Sequence, residues 1–428
     1  MNKYIKKAVL LIPPVKKQHE HIKELRNNIE KLCAEREEML SSYQLQHNLL
    51  ASMDSIFEDN VELSWSGDVS REQYLCMQPF TNMDIYHDGR VFTCCPTSLK
   101  PNCYIGEAYS QTFDKIWNSD IAKKLRYSVA NGNFEYCSKT YCPSLQAQSE
   151  DSLQWPMVLR DVAKGVTKHE HWQAYCLDTT PLAISLCCDL SCNLHCVSCR
   201  NDVKISSSEE NEKMAYMLEN FVRPALKNCE SLTASGEGEF FASKPIFQFY
   251  QTLSKEEFPL LKVKIITNGM LFTPERWAKL SNLKRMLSGV HVSIDAAQKE
   301  TYEKLRRGGK WETICNNMEY ISSLKLSGEI DSLEVSFVVQ NENYRQMQDF
   351  VALARQWQVG QIHFRRLSNY GTFSPDEYME KDVFDPKNLY YEEAVQLLSE
   401  LKRQEKDLEI VENCLGQNLK FAKGKICI

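Results

Sequence analysis

Six short apolar runs alternate with helix-patterned stretches over the second half of the chain. Leu182–Leu186, Ser231–Ala234, Val263–Ile266, Val290–Ile294, the alternating set Leu333, Val335, Phe337 and Val339, and Ile362–Phe364 read as strands. After the first run, Ser207 with Glu210 three residues on forms a capping box. The stripe Met214, Met217, Leu218, Phe221 and Val222 then marks one helix face. Thr273-Pro274 opens a helix carrying Trp277, Leu280 and Leu283. Trp311, Ile314, Met318 and Ile321 mark another, and Met347, Phe350, Leu353 and Ala354 a last. Strand–helix units in this order predict an α/β fold with a parallel sheet. Right-handed crossovers would curl six units into a partial (β/α)6 barrel. Sites on such sheets form on loops at the carboxyl ends of the strands.

The first half has a different texture. Residues 16–54 are polar and helix-favouring, with Ile22, Leu25, Ile29 and Leu32 on one face. That face fits both packing on the rest of the chain and a dimer seam. Residues 60–150 carry short alternating runs such as Val91-Phe92-Thr93 and a turn at His87-Asp88-Gly89. Residues 145–180 read as a helical connector. The expected organisation is a helical extension over 1–60, a small cysteine-rich domain over 61–150, a helical linker over 151–180, the barrel over 181–370 and a helical tail over 371–428.

The 428 residues include 51 basic and 57 acidic ones, a net charge of -6. This balance gives no general case for nucleic acid or an anionic membrane. The apolar run Ala8–Ile12 is too short for a signal sequence, and no stretch reaches the roughly 18–20 apolar residues of a spanning helix. A cytoplasmic protein is expected, and in that compartment 17 cysteines are many. Their odd number forbids complete pairing. Cys229 and Cys315 lie in helix-like stretches and read as core. Ten others fall in two groups: Cys76, Cys94, Cys95, Cys137 and Cys142, then Cys187, Cys188, Cys192, Cys196 and Cys199. Such grouping favours metal.

Cys192, Cys196 and Cys199 sit directly after the first strand. Zinc wants four ligands, and Cys187 or Cys188 would have to supply the fourth. An iron–sulfur cubane can use three thiolates and leave one iron open. Cys-x-x-x-Cys-x-x-Cys within "SCNLHCVSCR" (Ser191–Arg200), after the first strand of six units, resembles the radical S-adenosylmethionine superfamily. The resemblance implies a [4Fe–4S] cluster whose open iron binds S-adenosylmethionine. One electron then cleaves the sulfonium, and the 5'-deoxyadenosyl radical abstracts hydrogen from a substrate. Later loops match in order. Ser235-Gly236-Glu237-Gly238-Glu239 resembles the glycine–glutamate motif that holds the methionyl amino group, which assigns Gly236, Gly238 and Glu239 to the cofactor. Thr267-Asn268-Gly269 is a further family-like turn. Ser293 and Asp295 resemble residues that meet the ribose hydroxyls, and Arg306 the arginine that faces the methionyl carboxylate. Asn341 or Asn343 would face the cofactor as well. Ser198 stands where many members carry an aromatic residue.

The first group resembles the SPASM/twitch auxiliary-cluster domain, through Cys76, "HDGRVFTC", "YIGEAYSQTFDKIWNS" (Tyr104–Ser119) and "YCSKTYCPSL" (Tyr136–Leu145). It implies one auxiliary [4Fe–4S] cluster on Cys76, Cys94, Cys137 and Cys142, with Cys95 able to replace Cys94; zinc on the same cysteines is the rival. In the family this domain usually follows the barrel, whereas here it precedes it. Residues 365–385 resemble a tail of bacterial members encoded near sugar-transfer genes. The resemblances together imply an oxidoreductase-type enzyme acting on a peptide or a carbohydrate, fed electrons by a flavodoxin or ferredoxin. The alternative is a zinc- or cluster-held scaffold assembled through its N-terminal helix.

Overall fold

Alternating apolar residues make strands here because each strand buries one face under helices. In the computed structural model the described residues are 73–139, 141–146, 157–160, 163, 166–234, 237–405 and 408–412, all within one compact unit, Ser64–Ile428. The expected N-terminal helix and its dimer seam lie outside them. Among the described residues the strands are β1 (Tyr74–Cys76), β2 (Asn82–Tyr86), β3 (Arg90–Phe92), β4 (Gly106–Glu107), β5 (Met157–Leu159), β6 (Ala183–Cys187), β7 (Ser231–Ala234), β8 (Lys262–Thr267), β9 (Leu287–Ser293), β10 (Ser332–Val339), β11 (Gln361–Arg366) and β12 (Glu409–Glu412). β6 to β11 are the six expected strands, all parallel and in sequential order. Ile184, Leu186, Leu232, Val263, Ile265, Val290, Val292, Leu333, Val335, Phe337, Ile362 and Phe364 point to the helix side and form one core with the helix residues. The intervening residues line the other, polar face of the sheet.

The expected helices form. Ser207 and Glu210 close the capping box at the start of Ser208–Met217, and Thr273 caps Pro274–Ala278. The stripe from Met214 to Val222 is buried, and Cys229 is core. Trp311–Leu326 and Met347–Gln356 cover β9 to β11. No helix among the described residues is long and apolar enough to cross a membrane.

Three features differ from expectation. The connector is not helical where described: β5 pairs antiparallel with β1, and Trp172–Ala174 is a single 3-10 turn. Cross-strand pairing with a distant segment overrides local helix preference there. The tail is not all helix, since β12 adds parallel to β11 after the helices Pro375–Lys381 and Tyr391–Gln404. The cysteine-rich segment also shares the barrel's sheet. β2 pairs parallel with β6, Asn82 opposite Ala183 through Tyr86 opposite Cys187, and the β2–β3–β4 meander extends the sheet outward. The remainder of that segment packs as a second core around Leu75, Phe80, Leu125, Val129, Phe134 and Leu145. The buried Arg126 ties it together, donating to the carbonyls of Pro79 (2.8 Å), Trp117 (2.8 Å) and Tyr175 (3.2 Å).

Candidate functional site

β6 delivers the chain to a loop held on every side. Asp189 turns it with φ 72°, and its Oδ1 accepts from the Ser191 amide (2.8 Å) and the Ser206 hydroxyl (2.7 Å). The Cys192 amide donates to the Lys204 carbonyl at 2.7 Å, closing the loop's base. From the opposite side, Val197 donates to Leu305 (3.0 Å) and His195 to Arg307 (3.1 Å). The three thiols of the loop each meet different N–H donors. Cys192 Sγ has the Leu194 amide at 3.4 Å and Asn268 Nδ2 at 3.8 Å. Cys196 Sγ has Arg306 Nη1 at 3.9 Å, and Cys199 Sγ has Arg200 Nε at 3.5 Å. Burial raises the Cys192 and Cys196 thiols above their ordinary range, and Arg306 opposes the rise at Cys196. N–H donors on the sulfurs suit a ligand that makes the thiols give up their protons.

The neighbouring loops converge on this one. Glu239 is buried, and its carboxylate accepts from Thr267 Oγ1 (2.6 Å), the Asn268 amide (2.6 Å) and the Phe241 amide (3.2 Å). A carboxylate has about four acceptor directions, so one remains. Burial raises its pKa against those hydrogen bonds. Gly238 lies against the carbonyls of Asp189 and Ser191, beside a Glu239 amide to Ser191 carbonyl bond of 2.8 Å. Gly236 lies outside the described residues. Arg306 and Asp295 are brought together as a buried ion pair, Nη2 to Oδ2 2.7 Å, while Asp295 Oδ1 accepts from the Val338 amide (2.8 Å). Arg306 Nε is buried without a protein partner. Ser293, at the end of β9, accepts from the Ser336 hydroxyl at 3.1 Å. Between the two asparagines the structure discriminates. Asn343 spends its amide on the carbonyls of Asp295 and Val338, both at 2.8 Å, whereas Asn341 keeps a buried Oδ1 with no protein donor.

Sequence reasoning missed Arg200 and His87. Arg200 donates to the carbonyls of Leu190 (2.5 Å) and Glu237, and so joins the cysteine loop to the loop after β7. His87, in the turn between β2 and β3, bonds Glu237 through Nδ1 at 2.6 Å. Burial and the Glu237 hydrogen bond act on His87 in opposite senses; the hydrogen bond wins and raises its pKa. An arginine directly after the last cysteine was the only signal available, and the His87 contact spans 150 positions of sequence.

In the cysteine-rich segment, Cys76, Cys94, Cys137 and Cys142 line one cavity, with Leu99, Leu125, Val129, Phe134, Leu145 and Met157 as apolar wall. Cys95 is exposed, its Sγ 3.1 Å from Thr97 Oγ1, and it is Cys94 that lines the cavity. The β2–β3 turn places it. Gly89 has φ 86°, and a Cβ there would meet the Tyr109 ring at 2.3 Å. Burial pushes Cys76 up to about 12 and Cys94 and Cys137 well above the ordinary thiol range, and the neighbouring cysteines add to it. Four thiols lining one apolar cavity fit a cationic cluster core.

The radical SAM superfamily model matches residues 190–354, and the model of an iron–sulfur cluster-binding domain, SPASM, matches residues 76–143. GTP 3',8-cyclase of Peptoclostridium acidaminophilum is 27% identical over 196 residues, 45% of this chain and 57% of that protein. Among solved structures, Streptococcus suis SuiB aligns with a TM-score of 0.40 and 15% identity over 55% of this chain and 50% of its own. A radical SAM methyltransferase from Sphaerobacter thermophilus aligns with a TM-score of 0.36 and 13% identity, covering 53% of this chain and 64% of that one. The chain thus spans 50–64% of the length of these relatives.

Proposed function

We infer the function from one premise: this chain belongs to the radical S-adenosylmethionine superfamily and carries a SPASM iron–sulfur domain ahead of its barrel. Its cofactors are [4Fe–4S] clusters and S-adenosylmethionine. The reading is a radical enzyme in which Cys192, Cys196 and Cys199 hold the catalytic cluster and Cys76, Cys94, Cys137 and Cys142 an auxiliary one. Bound to that loop, the cluster supplies the electron that cleaves S-adenosylmethionine to a 5'-deoxyadenosyl radical, which takes hydrogen from the substrate.

The chain's own residues divide the remaining work. Arg306, aimed by Asp295 and left with a free buried Nε, faces the methionyl carboxylate. Glu239 braces the loops after β7 and β8 and keeps one acceptor direction for the methionyl ammonium. Asp295 spends one acceptor direction of each oxygen on Arg306 and Val338 and keeps the others, so it and Ser293 face the ribose hydroxyls, with Asn341 beside the cofactor. Gly238 permits the loop's close approach to the Asp189 and Ser191 carbonyls. The substrate is a peptide or a carbohydrate, processed in a cytoplasmic setting with a flavodoxin or ferredoxin as electron donor.

The observation that carries this reading is the loop itself: three thiols with their own N–H donors, ringed by Glu239, Asn268 and Arg306. The test is 5'-deoxyadenosine formation by oxygen-free reconstituted protein with a strong reductant. Formation should vanish in the Cys192/Cys196/Cys199 triple Ala variant. Product formation by that variant would refute the assignment of the triplet.

A further inference from the structure

Three side chains meet on the polar face of the sheet. His291 of β9 stands opposite Glu334 of β10, and His363 of β11 lies one step on, opposite Ser336. Their strand neighbours Val290, Val292, Leu333, Val335, Ile362 and Phe364 belong to the helix-side core, so all three point to the opposite face. His291 Nδ1 is 3.2 Å and His363 Nε2 3.0 Å from the same oxygen, Glu334 Oε2. The three donor atoms lie within 4.8 Å of one another, the one such set among the described residues. The side chains are 5%, 11% and 16% exposed for His291, Glu334 and His363.

We propose that His291, Glu334 and His363 form a binding site for a single divalent transition-metal ion, distinct from the iron–sulfur ligands. Imidazole nitrogen and carboxylate oxygen bind such ions at about 2.0–2.2 Å, so donors sharing an ion sit roughly 2.9–3.4 Å apart. The two distances to Glu334 Oε2 fall in that interval. Two imidazoles with one carboxylate suit zinc, iron(II) or manganese(II), and three protein ligands leave positions for oxygen ligands. Lys264 Nζ lies 2.7 Å from Glu334 Oε1 and 2.8 Å from Oε2. It orients the carboxylate by Oε1 and competes with the ion at Oε2. Ser293 is two residues along β9 from His291, about 7 Å nearer the cysteine loop. A hydroxyl or carboxylate oxygen held on the ion therefore sits one side-chain layer below the ribose-facing position.

The experiment uses the full chain with its iron and sulfide complement restored, then desalted and titrated with Mn2+ without oxygen. Loss of the free-ion paramagnetic signal counts bound Mn2+, and elemental analysis after Zn2+ loading counts zinc. One ion per chain beyond the iron is expected. His363→Ala and Glu334→Gln should each weaken Mn2+ by more than about tenfold, with iron and sulfide unchanged. Lys264→Met keeps all three ligands and removes the competing ammonium, so it should bind Mn2+ more tightly than the parent. This variant keeps the proposal testable even where a ligand variant loses its fold. Absence of saturable Mn2+ or Zn2+ binding in the parent, or equal affinity in the parent and Lys264→Met, would mean a hydrogen-bonded cluster only and would overturn the proposal.

Discussion

Gly238→Ala tests whether the loop after β7 is what holds the cysteine loop in place. Gly238 needs no unusual backbone conformation; what it needs is space. A Cβ there would stand 2.3 Å from the Asp189 carbonyl oxygen and 2.7 Å from that of Ser191. Carbon and oxygen rest at roughly 3.3 Å or more, so the two loops must part by about 1 Å. Both atoms are backbone, in a segment fixed by the Asp189 turn and by the Glu239 amide to Ser191 carbonyl bond of 2.8 Å. Overpacking of this kind costs about 1–3 kcal/mol. At roughly 2–4 °C per kcal/mol for a chain of this size or larger, Tm should fall by about 3–10 °C. The larger effect is local. The displaced carbonyl belongs to the residue before Cys192, so the variant should reconstitute with about half the parent's iron while the auxiliary cluster remains. The assays are anaerobic thermal unfolding and iron content, with 5'-deoxyadenosine formation as the functional readout. Parental iron content together with an unchanged Tm would refute the reasoning.

The auxiliary ligand set should behave independently. Cys137→Ser, in the lining of the cavity, should remove about half the iron and leave binding of S-adenosylmethionine to the catalytic cluster detectable by paramagnetic resonance; retention of all the iron would exclude Cys137 as a ligand. A pH effect should arise from Asp84, on the polar face of β2, which burial pushes up to about 6 against a Ser185 hydrogen bond. An unfolded aspartate titrates near 3.9, so the folded state holds the proton more tightly. Stability should therefore fall as pH rises from about 4 to about 6 and stay level above, by roughly 2–3 kcal/mol. Asp84→Asn should be more stable than the parent at pH 8 by a clearly larger margin than near pH 4.5 in thermal unfolding; the same offset at both pH values would refute the assignment.

The six strands were legible because each is an apolar run with one face buried, and five of the six observed strands overrun their expected bounds by only one to three residues at an end. The cysteine triplet was legible because its three thiols sit within eight residues on one loop. What was hidden depends on long separations. The sequence marks Ser293 and Asp295 as equivalent polar residues, yet Asp295 pairs with Arg306 and Ser293 with Ser336. Asn341 and Asn343 are two residues apart, and only the fold shows which amide is spent on carbonyls. The strand at Met157 carries three residues of pattern, too few to outweigh the helical look of its flanks.

The position of the cysteine-rich domain before the barrel follows from the edges of the sheet. A row of parallel strands has two open edges, each with unpaired backbone groups that need covering. The first strand, β6, leaves one edge and the last, β11, the other. Short connections favour covering each edge with the segment next to it in sequence. The preceding segment therefore covers β6 with β2, and the following segment covers β11 with β12. Because β2 runs parallel to β6, its end rises beside the loop that carries the triplet, and the turn that follows brings His87 to Glu237. Glu237 is in turn held through its carbonyl by Arg200, whose Nε meets Cys199 Sγ at 3.5 Å. The hairpin that positions Cys94 is thus bonded in three steps to a thiol of the other set. Reversing the usual domain order puts the hairpin that leads to Cys94 and the strand that leads to the triplet in one sheet, with their relative placement fixed by strand register and not by a linker.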